Sequence, residues 1–307
     1  MVSFICNICG AANEIEHFAT EPPSCACGSN VRLRALIYLL SMELFGQSLV
    51  LTEFPKMKSI RGLGMTDNPC YARILGEKFD YTNTYYDREP QFDFTELHPR
   101  LSGMYDFILS ADVLEHIAPP VDRALGEVFR LLKPNGFFGI TVYCSPGDAT
   151  REHFPGLHEY RLVKIGNSTV MVNRRIDGVL EIRDDLIFHG GSGATLEMRQ
   201  FAITGLETNL LRMGFQEVHF LANDLPEIGV LFDHDVSQPL IARKAPFALD
   251  RCATTQLIDE LRESRDLGWR ERERSDTLIV QIRAASKSRW VRLGRLFGLG
   301  PKFDAAE

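Results

Sequence analysis

The amino-acid sequence contains no run of eighteen apolar residues, and it therefore predicts no membrane-spanning helix. Its opening residues, MVSFICNICG, lack the basic and apolar regions of a secretory signal peptide. Hydrophobic residues make up 45% of the 307 and charged residues 24%, as is usual for soluble globular proteins. These features predict a cytoplasmic protein with room for one large α/β domain carrying additions, or for two small domains.

Positive charge is scarce in most of the chain. Residues 1–250 carry a net charge of −10, whereas residues 251–307 carry +3. A protein that binds nucleic acid through the phosphate backbone needs a basic surface. The acidic body therefore argues against general nucleic-acid binding.

Disulfide bonds are not expected, because four of the seven cysteines crowd into the first 27 residues. Cys6-x2-Cys9 and Cys25-x-Cys27 have the spacing of two thiolate pairs on short turns, with a glycine directly after Cys9 and after Cys27. Such pairs form tetrahedral zinc sites, and a metal would stabilise a segment as short as 1–30. We predict a structural zinc ion bound by the four thiolates. The alternative is four scattered free thiols.

The most informative stretch runs from Tyr105 to Tyr143. The apolar runs Tyr105–Leu109 and Phe137–Tyr143 each predict a strand. Between them Lys133-Pro134-Asn135-Gly136 is typical of a helix end, and apolar residues repeat at helical spacing, namely Leu125, Val128, Phe129 and Leu132. A strand, a helix and a strand in this order predict a parallel sheet covered by helices, with ligands at the carboxyl ends of the strands.

Two strings in this stretch, DFILSADVLEHI and RLLKPNGFF, resemble the second half of the class I S-adenosylmethionine-dependent methyltransferase fold. The resemblance extends over about residues 49–245. It implies an α/β fold with a Rossmann-like seven-stranded sheet, and S-adenosylmethionine (SAM) as the cofactor. The alternative is another βαβ protein with a Pro-Gly turn, since such folds recur with unrelated functions.

The resemblance also implies a glycine loop after the first strand. In this family an acid precedes G-x-G-x-G, whose glycines allow the backbone to approach the cofactor. The string SIRGLGMTD supplies Gly62 and Gly64, but it has Arg61 in place of the acid and lacks the third glycine. A carboxylate after the second strand, predicted over Phe79–Thr84, would bind the ribose hydroxyls, and Asp87 is the candidate.

Further cofactor contacts are implied in two loops. Asp93 would accept a hydrogen bond from the adenine amino group, and Phe94 would pack against the adenine ring. Ser110, Ala111 and Asp112 would contact the cofactor where the next strand ends. Each of these acids has an alternative role as a solvated loop carboxylate.

Glu115 and His116 follow that loop. Imidazole titrates near neutral pH, so His116 is the predicted general base, with Glu115 beside it. Asp112-x-x-Glu115-His116 also resembles the E-x-x-E-H string that binds a divalent metal in some quinone-type O-methyltransferases, although two carboxylates and an imidazole do not select one metal. A third interpretation is that Glu115 and His116 only order the loop.

A helix is predicted over Asn30–Gly46, where apolar residues repeat at helical spacing and Gly46 ends the helix. The string CGSNVRLR resembles the junction between a ribbon and the methyltransferase domain in a subset of bacterial proteins. Arg32 and Arg34 on this helix are candidates to reach the cofactor, or are solvated helix charges.

Beyond the central stretch the pattern changes from helical to alternating, which predicts an antiparallel meander inserted at about residues 151–192. In this superfamily such insertions commonly cover the substrate. His189 is therefore a third candidate for catalysis, and His153 and His158 lie on the same insertion. Two turns are predicted within it, at Gly166-Asn167 and Asp177-Gly178.

The last part of the sequence carries two further signals. Residues 193–199, GATLEMR, resemble a signature of proteins from glycan-assembly gene sets. Between Thr277 and Phe303 there are six basic residues and no acid. Residues 286–301 predict a basic amphipathic helix that lies on an anionic membrane surface, docks on a protein partner or packs on its own domain.

The sequence thus predicts three segments: a zinc-ribbon-like segment (1–30), a methyltransferase domain (31–250) and a helical tail (251–307). The resemblance implies methyl transfer from SAM to a hydroxyl, with a sugar or glycan intermediate as the acceptor. Such catalysis consists mostly of alignment, so no catalytic triad is expected. The alternative, which the altered glycine string favours, is a catalytically degenerate SAM-binding or scaffold protein in a glycan-assembly system.

Overall fold

The computed structural model describes residues 2–15, 22–145, 149–189, 195–232, 238–245 and 251–286. The chain separates into two compact units, residues 1–249 and 250–307. In the second unit a helix spans Arg251–Ser286. The predicted basic amphipathic segment lies, after Ser286, outside the described residues and stays a prediction. Within the described ranges, no helix combines the length and the apolar character that crossing a bilayer requires.

The described part of the first unit contains α1 (Val31–Phe45), α2 (Pro69–Lys78), α3 (Asp122–Leu131) and α4 (Ile203–Arg212). The side chain of Asn30 caps α1 by accepting a hydrogen bond from Leu33 N at 3.1 Å. Gly46 ends it with a φ of 70°, a conformation that glycine adopts without a clash at Cβ. The helix predicted over Asn30–Gly46 is confirmed.

The strands are numbered in chain order. An N-terminal hairpin contains β1 (Val2–Ile5) and β2 (Ala12–Ile15). The first half of the central sheet contains β3 (Met57–Met65), β4 (Phe79–Thr84), β5 (Tyr105–Ala111) and β6 (Leu132–Val142). The insertion between β6 and α4 contributes β7 (Cys144–Ser145), β8 (Arg151–Glu152), β9 (Glu159–Ile165), β10 (Ser168–Arg174), β11 (Leu180–Arg183), β12 (Phe188–His189), β13 (Thr195–Leu196) and β14 (Arg199–Ala202). The central sheet is completed by β15 (Glu217–Phe220) and β16 (Gln238–Arg243).

The central sheet has the order β15-β16-β6-β5-β3-β4. Strands β3 to β6 are parallel, β16 is antiparallel to β6, and β15 is antiparallel to β16. The described residues therefore form a mixed sheet of six strands, not the seven that the resemblance implies. Between β4 and β5 the chain forms an isolated bridge from Tyr85 to Gln91 and a 3-10 turn at Pro99–Leu101.

The main core lies between α3 and the sheet. Leu125 and Val128 of α3 are fully buried in the same apolar cluster as Ile108 of β5 and Phe138 of β6. Burying one such side chain stabilises the fold by roughly 1.5–3 kcal/mol. The helical repeat in the sequence thus predicted the burial of Leu125 and Val128 correctly, whereas Phe129 is only partly buried and Leu132 begins β6.

The end of α3 differs from the prediction. The helix ends at Leu131, and β6 begins at Leu132, so Lys133–Gly136 lie within the strand and not in a turn. Leu132 pairs with Tyr105 before a register shift in the ladder. A side chain at Gly136 would bring its Cβ to 3.0 Å from the Tyr105 carbonyl oxygen, so this glycine permits a close approach of the two strands.

The predicted insertion is confirmed as an antiparallel meander of β9, β10 and β11. Its turns contain Gly166 and Gly178, both with positive φ. Met171 of β10 is buried with Phe154 and with two residues that precede β14, Leu196 and Met198. The insertion thus has a small apolar core of its own.

The N-terminal hairpin is joined to the rest of the first unit through Arg34. This side chain is fully buried and donates hydrogen bonds to Ser29 O, Ser24 Oγ and Gly229 O. Its guanidinium also lies 4.6 Å from the centroid of the Phe4 ring. Arg34 is therefore a structural residue that does not reach the cleft described below.

Candidate functional site

A polar cleft with a volume of about 340 Å³ lies at the carboxyl ends of β3 and β5. In sheets of this kind, the crevice beyond the carboxyl ends of the strands is where ligands bind. The start of α1, the loop from β3 into α2, the loop after β4 and the end of β5 all contribute side chains. The lining residues are Asn30, Arg32, Leu33, Thr66, Asp67, Asn68, Pro69, Tyr85, Arg88, Ala111 and Asp112.

The predicted glycine loop is not a loop. Gly62 and Gly64 lie inside β3 and pair with both β4 and β5. A Cβ at Gly62 would lie 2.8 Å from Tyr81 Cδ2, and a Cβ at Gly64 would lie 2.6 Å from Asp67 Oδ2. These glycines therefore make room for neighbouring protein side chains, and neither lines the cleft.

The loop that does border the cleft consists of Thr66, Asp67 and Asn68. Thr66 has a φ of 57°, a conformation that glycine would adopt more easily. The Asn68 side chain caps α2 by accepting from Cys70 N at 2.9 Å, and Pro69 occupies the first helical turn. This Asn-Pro start signal is visible in the sequence, and it would have moved the predicted loop to residues 66–68.

Asp67 is the buried acid of this loop. Its side chain accepts a hydrogen bond from the Tyr81 hydroxyl, and its backbone N–H donates to Asn83 Oδ1 at 2.8 Å. Burial raises the pKa of Asp67 to about 6, although the hydrogen bond from Tyr81 opposes the rise. The carboxyl group thus changes charge just below neutral pH.

An ion pair between Arg32 and Asp112 crosses the cleft. Asp112 has a φ of 53°, and its backbone N–H donates to Thr141 O at 2.9 Å. The Thr141 hydroxyl donates to Asp112 Oδ1 at 3.3 Å. Neighbouring Arg88 stacks its guanidinium 4.0 Å from the centroid of the Tyr85 ring. The cleft therefore presents both signs of charge and an aromatic face.

Four other residues predicted to contact the cofactor do not line the cleft. Asp87 is exposed. Asp93 Oδ1 accepts from Thr95 N at 2.8 Å, so it orders its own turn. Phe94 is buried in the main core, and Ser110 is fully buried at the end of β5. Of the predicted set, the cleft contains Ala111 and Asp112.

The three residues predicted for catalysis do come together. Glu115, His116 and His189 each place a potential ligand atom within 4.8 Å of the others. The rings of His116 and His189 meet edge to face, with 4.9 Å between their centroids. His116 Nδ1–H donates to Leu196 O at 2.9 Å, so Nε2 carries the lone pair. The insertion and the loop after β5 thus share one cluster.

Burial controls the charges in this cluster. It raises the pKa of Glu115 to about 7, while the nearby Arg32 guanidinium opposes the rise and the Glu197 carboxylate adds to it. Burial also lowers the pKa of His116, and the neighbouring His189 lowers it further. Because Arg32 acts on Glu115, the cleft and the cluster are electrostatically linked.

Two carboxylates that the sequence prediction did not single out support the cluster. Glu197 accepts from His189 Nε2 and from His153 Nε2, both at 2.7 Å. Glu152 accepts from the fully buried Arg199 at 2.6 Å. No pattern in the sequence marks these acids, because their partners come from distant parts of the insertion.

The four N-terminal cysteines also come together, on the loop between β1 and β2 and on the turn before α1. The Sγ atoms of Cys6 and Cys27 are 3.8 Å apart, and those of Cys9 and Cys25 are 3.6 Å apart. Zinc–sulfur bonds of about 2.3 Å in a tetrahedron place neighbouring sulfurs about 3.8 Å apart. The donor set and its spacing therefore fit a tetrahedral metal ion.

Residues 79–140, from β4 through most of β6, match a family model described as Methyltransferase domain. No curated protein sequence matches the chain. The matched segment contains Tyr85, Arg88, Ala111 and Asp112 of the cleft, and Glu115 and His116 of the cluster. This part of the chain, residues 79–140 of 307, is therefore similar to methyltransferase domains.

Similar solved structures include a Burkholderia thailandensis 1,6-didemethyltoxoflavin-N1-methyltransferase bound to 1,6-didemethyltoxoflavin and S-adenosylhomocysteine. It is 16% identical, with 70% of this chain and 78% of that chain covered and a TM-score of 0.41. The CMeT domain of the citrinin polyketide synthase is 14% identical, with 71% and 53% covered and a TM-score of 0.40. A SAM-dependent methyltransferase from Mesorhizobium loti is 14% identical, with 62% and 93% covered and a TM-score of 0.33.

Proposed function

We propose that this protein transfers a methyl group from SAM to a hydroxyl group of its acceptor. The observation that carries the proposal is the polar cleft at the carboxyl ends of β3 and β5, joined to the histidine–glutamate cluster by the loop 111–116. The match to the methyltransferase family model includes that loop. Cofactor and acceptor would thus bind next to each other, one in the cleft and one at the cluster, with the loop 111–116 between the two sites.

The side chains of the cleft fit the amino-acid part of SAM, which carries a carboxylate and an ammonium group. Arg32 offers a cation to the carboxylate, and Asp112 offers an anion to the ammonium, in exchange for their mutual ion pair. Tyr85 offers an aromatic face to the adenine ring. When bound, SAM supplies a methyl group that its sulfonium already activates. The protein therefore has to orient the acceptor and remove its proton.

His116 is the general base in this proposal. Its Nδ1–H donates to Leu196 O, which fixes the ring so that Nε2 can accept the proton of the acceptor hydroxyl. The lowered pKa of His116 keeps the imidazole neutral at pH 7. Glu115 and His189 border the same space and would position the hydroxyl.

The acceptor in this proposal is a sugar or a glycan intermediate. That acceptor class rests on the resemblance of residues 193–199 to glycan-assembly proteins. The insertion that carries His189 would cover the acceptor. In the same proposal the four cysteines hold a structural zinc ion, because four sulfur ligands leave no position for a substrate.

A second candidate function is a scaffold protein that retains the fold without methyl transfer. Two observations favour it: the Arg32–Asp112 ion pair spans the cleft, and Thr66 replaces a glycine at a positive φ. An empty scaffold would bind SAM and S-adenosylhomocysteine weakly or not at all. A catalytically degenerate SAM-binding protein would bind them without transferring a methyl group, whereas an enzyme would bind both and transfer it.

Calorimetric titration of the full chain with SAM and S-adenosylhomocysteine tests the proposal. A second experiment measures the transfer of a labelled methyl group from SAM to a panel of sugar acceptors. His116→Asn should lower the transfer rate about 100-fold or more without weakening SAM binding. His158→Asn, an exposed histidine of the insertion, is the matched control. A chain that binds neither compound would contradict methyl transfer and favour the scaffold.

A further inference from the structure

The cluster of Glu115, His116 and His189 contains a buried carboxylate with one unsatisfied oxygen, while its other oxygen, Oε1, lies 4.0 Å from His116 Nε2. Glu115 is only 3% exposed, and its Oε2 has no hydrogen-bond partner among the described residues. A buried carboxylate oxygen without a partner costs free energy, because it has lost its contacts with water. One ring nitrogen of each histidine lies within 4.8 Å of a Glu115 carboxylate oxygen and of the other ring nitrogen. This arrangement leaves room for a single ion between three potential ligands.

Both histidines make the kind of hydrogen bond that metal-ligating histidines usually make with their second ring nitrogen. A ligating histidine almost always donates its second ring N–H to a backbone carbonyl or a carboxylate, which fixes its tautomer. His116 Nδ1–H donates to Leu196 O at 2.9 Å, and His189 Nε2–H donates to Glu197 at 2.7 Å. Each ring therefore keeps one nitrogen with a lone pair. Glu197 is itself held by His153, so this outer hydrogen-bond network is built before any ion arrives.

We propose that Glu115, His116 and His189 bind a divalent transition-metal ion, with zinc as the representative ion, that joins the insertion to the loop after β5. Two imidazoles and one carboxylate suit such ions and leave at least one coordination position open. The proposed site shares Glu115 and His116 with the Asp112-x-x-Glu115-His116 set, but His189 takes the place of Asp112, which pairs with Arg32 across the cleft.

A cobalt titration of the full chain tests this site without SAM. The chain is first loaded with one equivalent of zinc, which the four thiolates bind in preference to a site of two imidazoles and one carboxylate, and Co²⁺ is then added while visible absorption and bound metal are measured. We expect one further equivalent of Co²⁺ to bind, with visible bands but without the near-ultraviolet charge-transfer band of cobalt–thiolate bonds. Co²⁺ that binds with a thiolate band would have entered the cysteine site, and it would count against a second site.

Substitutions at Glu115 and His189 test whether these residues bind the cobalt ion. Glu115→Gln keeps the shape of the side chain and removes its charge, and His189→Asn removes one imidazole. Each should weaken cobalt binding by at least tenfold, whereas His158→Asn should leave it unchanged. Circular dichroism and melting temperature verify that the variants fold. Wild-type protein that binds no further Co²⁺, or both ligand variants binding as tightly as wild type, would overturn the proposal. If the wild-type chain binds cobalt but does not bind SAM, that result contradicts only the proposed function.

Discussion

Arg32, in the first turn of α1, forms an ion pair with Asp112 at the end of β5, 80 residues later in the chain. Both side chains are mostly buried, 13% and 19% exposed. Helix α1 follows directly on the turn that carries Cys25 and Cys27. The first turn of α1 therefore connects the cysteine cluster to the cleft, and a change at either place can affect the other.

Asp112→Asn should weaken the binding of SAM and S-adenosylhomocysteine by about ten- to one-hundredfold. A hydrogen bond to a charged group contributes roughly 1.5–3 kcal/mol, and the variant removes the anion that would face the ammonium group. Isothermal titration calorimetry measures the change. Asp87→Asn is the matched control, since Asp87 is exposed and does not line the cleft. Equal affinities for Asp112→Asn and wild type would show that the cofactor binds elsewhere.

Gly64→Ala should destabilise the fold and not act on cofactor binding alone. The new Cβ would lie 2.6 Å from Asp67 Oδ2 and 2.9 Å from Asn83 Oδ1, and overpacking of this kind costs roughly 1–3 kcal/mol. Urea denaturation should show a lower midpoint at an unchanged slope. At Gly76 in α2 the nearest atom to a new Cβ is 3.9 Å away. Gly76→Ala should therefore stabilise the protein slightly, because alanine favours the helix interior. A stable Gly64→Ala would argue against the placement of this glycine within β3.

The protonation of Asp67 should make stability depend on pH between about 4 and 6. Burial raises its folded-state pKa to about 6 from the ordinary value of 3.8, so the folded state binds the proton more tightly than the unfolded state does. Ionisation of Asp67 therefore lowers stability as the pH rises through this window, by an amount on the order of 3 kcal/mol. Denaturant titrations at pH 4.5 and pH 7 measure the effect.

Asp67→Asn is the control for that pH dependence. The amide cannot ionise, but its Oδ1 can still accept a hydrogen bond from Tyr81. The difference in stability between the two pH values should shrink in the variant by most of the amount assigned to Asp67. If wild type and variant lose stability in parallel, other groups cause the dependence.

Cys9→Ser should release a bound metal ion and lower the melting temperature. Serine is a poor zinc ligand, and a three-sulfur site would lose much of the folding free energy that metal binding supplies. Elemental analysis of purified protein should find close to one zinc less per chain in the variant. Cys70→Ser is the matched control, because Cys70 lies on α2 outside the cluster. A metal-free wild-type chain that is fully folded would contradict the zinc prediction.

Local features of the chain were predictable from the sequence alone. The cap at Asn30 and the glycine at 46 define α1, and the apolar repeat around Leu125 predicted the buried face of α3. The turns at Gly166 and Gly178 marked the meander. Each of these signals involves residues that are close in sequence, where propensity, capping and periodicity act directly.

The boundaries of some elements and several side-chain contacts, by contrast, were decided by tertiary structure. Gly62 and Gly64 belong to β3 because Tyr81 and Phe107 from the adjacent strands pack against them, and no local rule separates such a strand glycine from a loop glycine. The Arg32–Asp112 ion pair joins residues that are far apart in sequence, as does the contact between His116 and His189.

The sequence by itself determined the βαβ unit, the four paired cysteines, the meander and three residues of one candidate cluster. Only the tertiary structure decided which of the many polar residues line the cleft and which acids orient the histidines. The physical reason is that α1, the ends of β3 and β5, and the insertion meet at one edge of the sheet. Burial and charge at that edge depend on all of them together.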